Sequence, residues 1–352
     1  MKKQLLFLFA ALLPLVASAQ TKVEIDGIWY NLYSDESKAE VTYKGSSYDE
    51  YKNEYSGSVN LPATVTYEGV DYSVTSIGRC AFSECSSLTA INIPESVTSI
   101  GDQVFSFCSS LTTINIPEGV TSIEYGAFMS CSSLTAINIP ESVTSIGDYA
   151  FTGCSSLTAI NIPEGVTSIG DYAFTGCSSL TAITIPENSQ LTSIGMYAFA
   201  LCERLTAITI PEGVTSIEDL TFAYCSKLTT IVLPKNLNNV GSQAFANCPE
   251  LLDVYCYAEK VPSTESDAFD GSYIEGVYDT LHVPASALKA YKTTSPWSNF
   301  GNIEKLTDEE TGIENPEIRN HKSEITFDLR GRRVEKAEKG IYIVNGKKTV
   351  IK

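Results

Sequence analysis

Between Leu88 and Glu250 the apolar positions recur at a fixed interval. One unit, from Leu134 to Ser156, reads LTAINIPESVTSIGDYAFTGCSS. Leu134, Ile137 and Ile139 have the spacing of a short strand, and Pro140 ends it by removing a backbone donor. Val143 and Ile146 then turn inward. Gly147 is read as permitting a sharp bend. Ala150, Phe151 and Cys154 form a return segment, short and helical or irregular, and Ser155-Ser156 turns into the next strand. The register is marked by Cys85, Cys108, Cys131, Cys154, Cys177, Cys202, Cys225 and Cys248, spaced by 23 residues except for 25 between Cys177 and Cys202. There Pro186 to Leu191 carries a local insertion.

No single unit of this size can bury its apolar side, so the units must stack on their neighbours. A period in the 20–29 range with spaced leucines predicts a leucine-rich-repeat solenoid of strand-dominated α/β class. Its curved parallel β-sheet lines the concave face, and short helical or irregular turns lie on the convex face. Stacking puts equivalent residues in columns about 4.8 Å apart. Phe82, Phe105, Phe128, Phe151, Phe174, Phe199, Phe222 and Phe245 then form an aromatic spine.

The sequence around this array divides the chain further. Residues 1–19 read as a secretory signal: Lys2 and Lys3, an apolar run, then Ala17-Ser18-Ala19 before cleavage. Residues 20–87 are an N-terminal cap with a first divergent repeat, 88–250 hold seven repeats, and 251–306 are a C-terminal repeat and cap. Residues 307–316 form a linker, and 317–352 a small β tail of two strands around a Gly-containing turn. No segment of the mature chain is long and apolar enough to span a bilayer. The net charge of −18 is uneven. Residues 315–352 hold 10 basic and 5 acidic side chains, which leaves −23 on the rest. An acidic body disfavours nucleic acid.

Candidate chemistry is sparse. The eight ladder cysteines are expected to be buried and reduced. In-register neighbours hold their Cβ atoms near the strand spacing, whereas a disulfide wants about 3.8 Å. Cys80 and Cys256 lie off the ladder and are the likelier reactive or paired thiols. With no C-x-x-C pair and only His282 and His321, a zinc site is not expected, and no cofactor or catalytic motif is found. Glu95, Glu118, Glu141, Glu164, Glu187 and Glu212 follow the strand-ending proline and form one acidic ridge. The ridge is either a solvated edge or a cation-binding one. Strand alternation places Asn92, Asn115, Asn138, Asn161, Thr184 and Thr209 outward on the concave face as the candidate binding surface. Tyr149, Tyr172 and Tyr197 align elsewhere as an aromatic strip, either packed on the turn or available to stack on a ligand.

The Ala-Phe-x-x-Cys unit, the Asp26-Gly27-Ile28-Trp29-Tyr30 start and the Val-Pro…Ala-Tyr…Trp-x-x-Phe cap resemble the BspA-like leucine-rich repeats of bacterial surface proteins. The tail, with Asp328-Leu329-Arg330-Gly331-Arg332 and Gly340-Ile341-Tyr342-Ile343-Val344, resembles a short sorting domain of type IX secretion substrates. These resemblances imply a secreted or surface-displayed, non-enzymatic protein. They imply that it is handled by the secretion machinery and adheres to a host matrix or cell-surface protein, or to a polymeric glycan. The alternative is a structural spacer or coat protein without a dedicated ligand.

Overall fold

The computed structural model describes residues 20–50, 52–272 and 279–307, and three strands beyond them, Thr326–Phe327, Gly340–Val344 and Lys347–Ile351. The expected signal segment and His321 lie outside the described residues. Contacts divide the chain into two units, 1–305 and 306–352.

In the first unit, short strands stack in parallel, one per coil. The main face runs from Gly57–Asn60 through Leu88–Asn92, Thr113–Asn115 and Ala136–Asn138. It continues through Ala159–Asn161 and Ala182–Thr184, and then from Ala207–Thr209 to Asn302–Lys305. Pairing is in register, with Ile114 opposite both Ile91 and Ile137. A second face carries two-residue strands such as Ser145–Ile146, paired with Ser122–Ile123 and Ser168–Ile169. At the N-terminal end Gln20–Ile25, Ile28–Tyr33 and Lys38–Thr42 form an antiparallel meander, joined in parallel to Val70–Ile77.

The return side of each repeat contains no helix; the described helical turns, Leu288–Tyr291 and Trp297–Asn299, belong to the C-terminal cap. It is a run of tight turns whose N–H groups alternate in direction. Those of Gln103, Phe105 and Phe107 donate to Tyr125, Ala127 and Met129 of the next coil, at 2.7–2.9 Å. Those of Ser106 and Cys108 close back onto Gln103 and Phe105, each at 3.1 Å. The alternation needs left-handed backbone at two positions per coil, for example φ 53° at Gln103 and 61° at Phe107. Neighbouring coils are therefore hydrogen-bonded along the return side as well as through their strands. This satisfies the backbone without any helix.

Between the faces runs the core. The eight predicted phenylalanines and Phe269 stack with ring centroids 5.1–5.6 Å apart and planes within 19° of parallel. All nine are fully buried. Tyr55 closes the near end against Phe82, and Trp297 and Phe300 meet Phe269 edge-on at the far end. Phe269 was not expected in the spine, because the cysteine that marks the register is replaced there by Ser272. Its Ala268-Phe269 pair was the legible signal.

Gly147 and its equivalents bend the chain for a different reason from the one expected. None of Gly147, Gly170, Gly195 and Gly241 has a positive φ. They are glycine because the preceding coil comes too close. A Cβ on Gly170 would lie 2.4 Å from Asp148 Oδ1 and 2.5 Å from its backbone nitrogen. That carboxylate accepts the Asp171 N–H at 2.8 Å, and the device repeats from Met196 to Asp171 and from Ser242 to Asp219. Asp102 is followed one coil on by Glu124 instead of glycine, and it makes no such bond. Gly170→Ala should therefore cost about 1–3 kcal/mol by overpacking. In an Asp148→Ala background, where part of the obstruction is gone, chemical denaturation should give a smaller cost. Equal costs in both backgrounds would refute the coupling.

The second unit is a three-stranded antiparallel sheet, with Gly340–Val344 paired to both Thr326–Phe327 and Lys347–Ile351. The segment expected to be one strand from Ile341 is thus a hairpin. Asn345-Gly346, between its arms, is the dipeptide that two-residue hairpins favour.

Candidate functional site

All six predicted concave-face residues, Asn92, Asn115, Asn138, Asn161, Thr184 and Thr209, are exposed. Asn115 lies directly opposite Asn138, and Asn161 opposite Thr184. Among the described residues, none of these six side chains has a hydrogen-bond partner. The neighbouring threonines differ. Thr135, Thr158 and Thr181 each donate to the threonine carbonyl one coil earlier, at 3.0–3.4 Å. Their hydroxyls are committed to holding coils together. Sequence pattern alone did not separate these two polar columns, because both simply read as exposed.

Toward the C-terminal end the concave face changes character. Tyr255 stacks on His282 with ring centroids 4.2 Å apart, and His282 Nε2 lies 3.2 Å from Asp253 Oδ1. His282 is thus placed on the sheet surface by packing on Tyr255 and a polar contact to Asp253.

Glu95, Glu118, Glu141, Glu164, Glu187 and Glu212 are exposed, one to a coil. Among the described residues no three acidic, histidine or cysteine side chains converge as metal ligands would. The ridge is a row of separate charges.

All ten cysteines are free and buried. Seven of the ladder thiols donate to the phenylalanine carbonyl of the preceding coil, from Cys108 on Phe82 to Cys248 on Phe222, with Sγ···O of 3.1–3.3 Å. Ser272 does the same to Phe245. The column therefore demands a small buried donor, and this explains the cysteine. Burial pushes the thiols up, to about 11 for Cys85 and about 12 for Cys154 and Cys248. Cys80 and Cys256, expected to be the reactive or paired pair, are also free and buried, and Cys256 Sγ lies 3.2 Å from the Tyr291 hydroxyl. Lying off the ladder did not put them at the surface: Cys256 pairs in register with the buried Leu233, and Cys80, at the coil position of Tyr149, is buried with its Sγ 3.8 Å from Gln103 Oε1 of the next coil.

The tyrosine strip packs on itself. Tyr149, Tyr172 and Tyr197 are half-buried and stack at 4.6–4.7 Å within 9° of parallel, and Tyr125 joins at 5.5 Å, tilted by 58°. The inner ring faces cover one another and are closed to a stacked ligand. Ring edges and hydroxyls face outward.

The sequence matches the profile of the BspA type leucine rich repeat region in 6 copies, over residues 64–164 and 144–275. Among solved structures, it is similar to a leucine-rich repeat protein from Bacteroides ovatus at 30% identity and TM-score 0.63, covering 81% of this chain and 76% of that one. It is also similar to a leucine rich cell surface protein from Faecalibacterium prausnitzii, at 26% identity and TM-score 0.48, covering 84% and 97%. A leucine rich repeat protein from T. pallidum aligns at 26% identity and TM-score 0.45, covering 66% and 91%. No curated protein matches. With repeat, spine and register agreeing, the chain belongs to the BspA-type leucine-rich-repeat family of bacteria.

Proposed function

We propose that this protein is a non-enzymatic binding module, secreted or held at the outer cell surface, which adheres through the concave face of its solenoid. The observation that carries this reading is the column of Asn92, Asn115, Asn138, Asn161, Thr184 and Thr209. Its amides and hydroxyls are exposed and have no hydrogen-bond partner among the described residues, on a sheet held rigid by the core. Such a lattice suits many weak contacts to an extended partner, a host matrix or cell-surface protein or a polymeric glycan, with strength gained by repetition. The signal segment at 1–19 and the sorting-type tail at 317–352 support export through the secretion machinery. The exposed glutamate ridge fits a solvated edge that keeps the stack soluble.

Binding to immobilised matrix proteins and neutral glycans tests the reading. Saturable binding at physiological salt is expected, with at least a tenfold loss in Asn115→Asp/Asn138→Asp/Asn161→Asp. The result that overturns it is binding to no member of the panel, or binding untouched by the triple variant. One observation favours a second reading, a spacer or coat protein. The lattice is small, neutral and nearly uniform over most of its length, without the Trp, Tyr and Arg anchors of tight interfaces.

A further inference from the structure

The loop that follows Lys38–Thr42 in the N-terminal cap folds onto the return side of the coil that holds Phe82. Lys52 Nζ lies 2.6 Å from Glu84 Oε2, and Asn53 Oδ1 accepts the Ser86 hydroxyl at 2.7 Å and the Ser87 N–H at 3.2 Å. The loop is thus tethered at two successive residues. Beside it lies a hollow of about 340 Å³, lined among the described residues by Lys52, Asn53, Glu84, Ser86 and Phe107. That volume falls at the lower end of the range for small-molecule sites, about 300–1,000 Å³.

Phe107 follows Glu84 by one coil, at the same place in the repeat, and is 48% exposed. A lone exposed phenylalanine calls for no explanation. This one is the apolar wall of a hollow whose other walls keep unused bonding capacity. Among the described residues Asn53 Nδ2 has no partner, Ser86 Oγ donates without accepting, and the Glu84 carboxylate meets Lys52 alone. The walls carry one positive and one negative group, already joined. Asp49 also acts on Lys52 but does not line the hollow. A ligand with net charge would have to part the pair. A hydroxyl both donates and accepts, so a neutral polyol can bond to Asn53, Ser86 and the outer side of the ion pair without breaking it. The face of an aromatic ring is negative and attracts C–H groups laid against it. A pyranose ring offers both parts, a rim of hydroxyls and a C–H face.

We propose that the hollow between Phe107 and the loop at Lys52-Asn53 binds one neutral pyranose unit of a glycan. The C–H face of the sugar lies on the Phe107 ring, and its hydroxyls meet Asn53, Ser86 and the Lys52–Glu84 pair. The site is on the return side of the coils, so this inference does not depend on the concave-face reading.

Saturation-transfer NMR on the full chain tests it, with the methyl glycosides of glucose, galactose, mannose and N-acetylglucosamine as probes. At least one should bind saturably, with the strongest transfer to the C–H protons of one ring face. Phe107→Gly should weaken that binding about tenfold. Glycine holds the same place at Gly153 and Gly176 with φ 72°, and Phe107 already has φ 61°, so the variant should fold with its thermal midpoint unchanged or higher. If it fails to fold, Phe107→Ser decides instead, because Ser130 holds that place in another coil at φ 60°. The methyl glycoside of glucuronic acid should bind more weakly than that of glucose, since its carboxylate would compete with Glu84 for Lys52. Asn115→Asp/Asn138→Asp/Asn161→Asp should bind the sugar unchanged, which separates this site from the concave lattice. Saturable binding by none of the four neutral probes would overturn the proposal. So would binding that survives loss of the Phe107 ring, binding lost in the triple variant, or an acid bound as tightly as its neutral counterpart.

Discussion

Above about pH 9 the folded solenoid should lose stability steeply and unfold in a cooperative step. The ordinary cysteine value is 9.0, and burial raises the ladder thiols above it, Cys154 and Cys248 to about 12. In the folded chain these thiols keep their protons, while in the unfolded chain they release them as the pH passes 9. The stabilisation is therefore complete below the unfolded value and is lost progressively between it and the folded one. Each thiol contributes about 1.4 kcal/mol per pH unit in that window. With the eight ladder thiols raised in this way the slope is on the order of 11 kcal/mol per unit, comparable with the whole net stability of a typical domain. Circular dichroism against pH, with thiol alkylation followed in parallel, should show all ten cysteines becoming reactive together as structure is lost. Cys154→Ser/Cys177→Ser should make the transition shallower and move it to higher pH. Ladder thiols that react at neutral pH with the fold intact, or a fold that persists unchanged well above pH 11, would refute the argument.

The second large effect is expected at the middle of the aromatic spine. Phe174→Ala should cost about 3–5 kcal/mol, since it leaves a cavity where two neighbours have lost a stacking partner. Phe151 and Phe199 lie 5.1 and 5.4 Å away by ring centroid, and neither can move in to fill the gap. Each is fixed by backbone bonds to the next coil, from Phe151 N–H to Ala173 and from Phe199 N–H to Thr221. Phe174→Leu should cost less, because more of the volume is kept. Because the array is held by nearest neighbours, unfolding of Phe174→Ala should begin at that coil and lose its single transition. A denaturation midpoint equal to that of the unaltered chain would count against a continuous core.

Much of this architecture was legible because repetition removes ambiguity. A residue type that returns at one interval must return to one environment, so the phenylalanine and cysteine columns could be placed inside without coordinates. The concave asparagines followed from strand alternation alone. Three features were not legible. The return segment reads equally well as a helical turn, and only the bonds between coils, as from Phe105 to Ala127, choose the tight-turn form. Gly170 looks like a bend residue until Asp148 is found lodged beneath it. The threonine and asparagine columns share one pattern, yet Thr158 is bonded to the coil before it while Asn161 is not.

The sequence by itself determined the period, the inward and outward sides and the acidic character of the body, because each depends only on residue type and spacing. Tertiary structure alone decided which polar groups remain free, which glycines are obligatory and which apolar side chains stay in water. Those depend on what the adjacent coil places within a few ångströms, and linear order does not encode that distance.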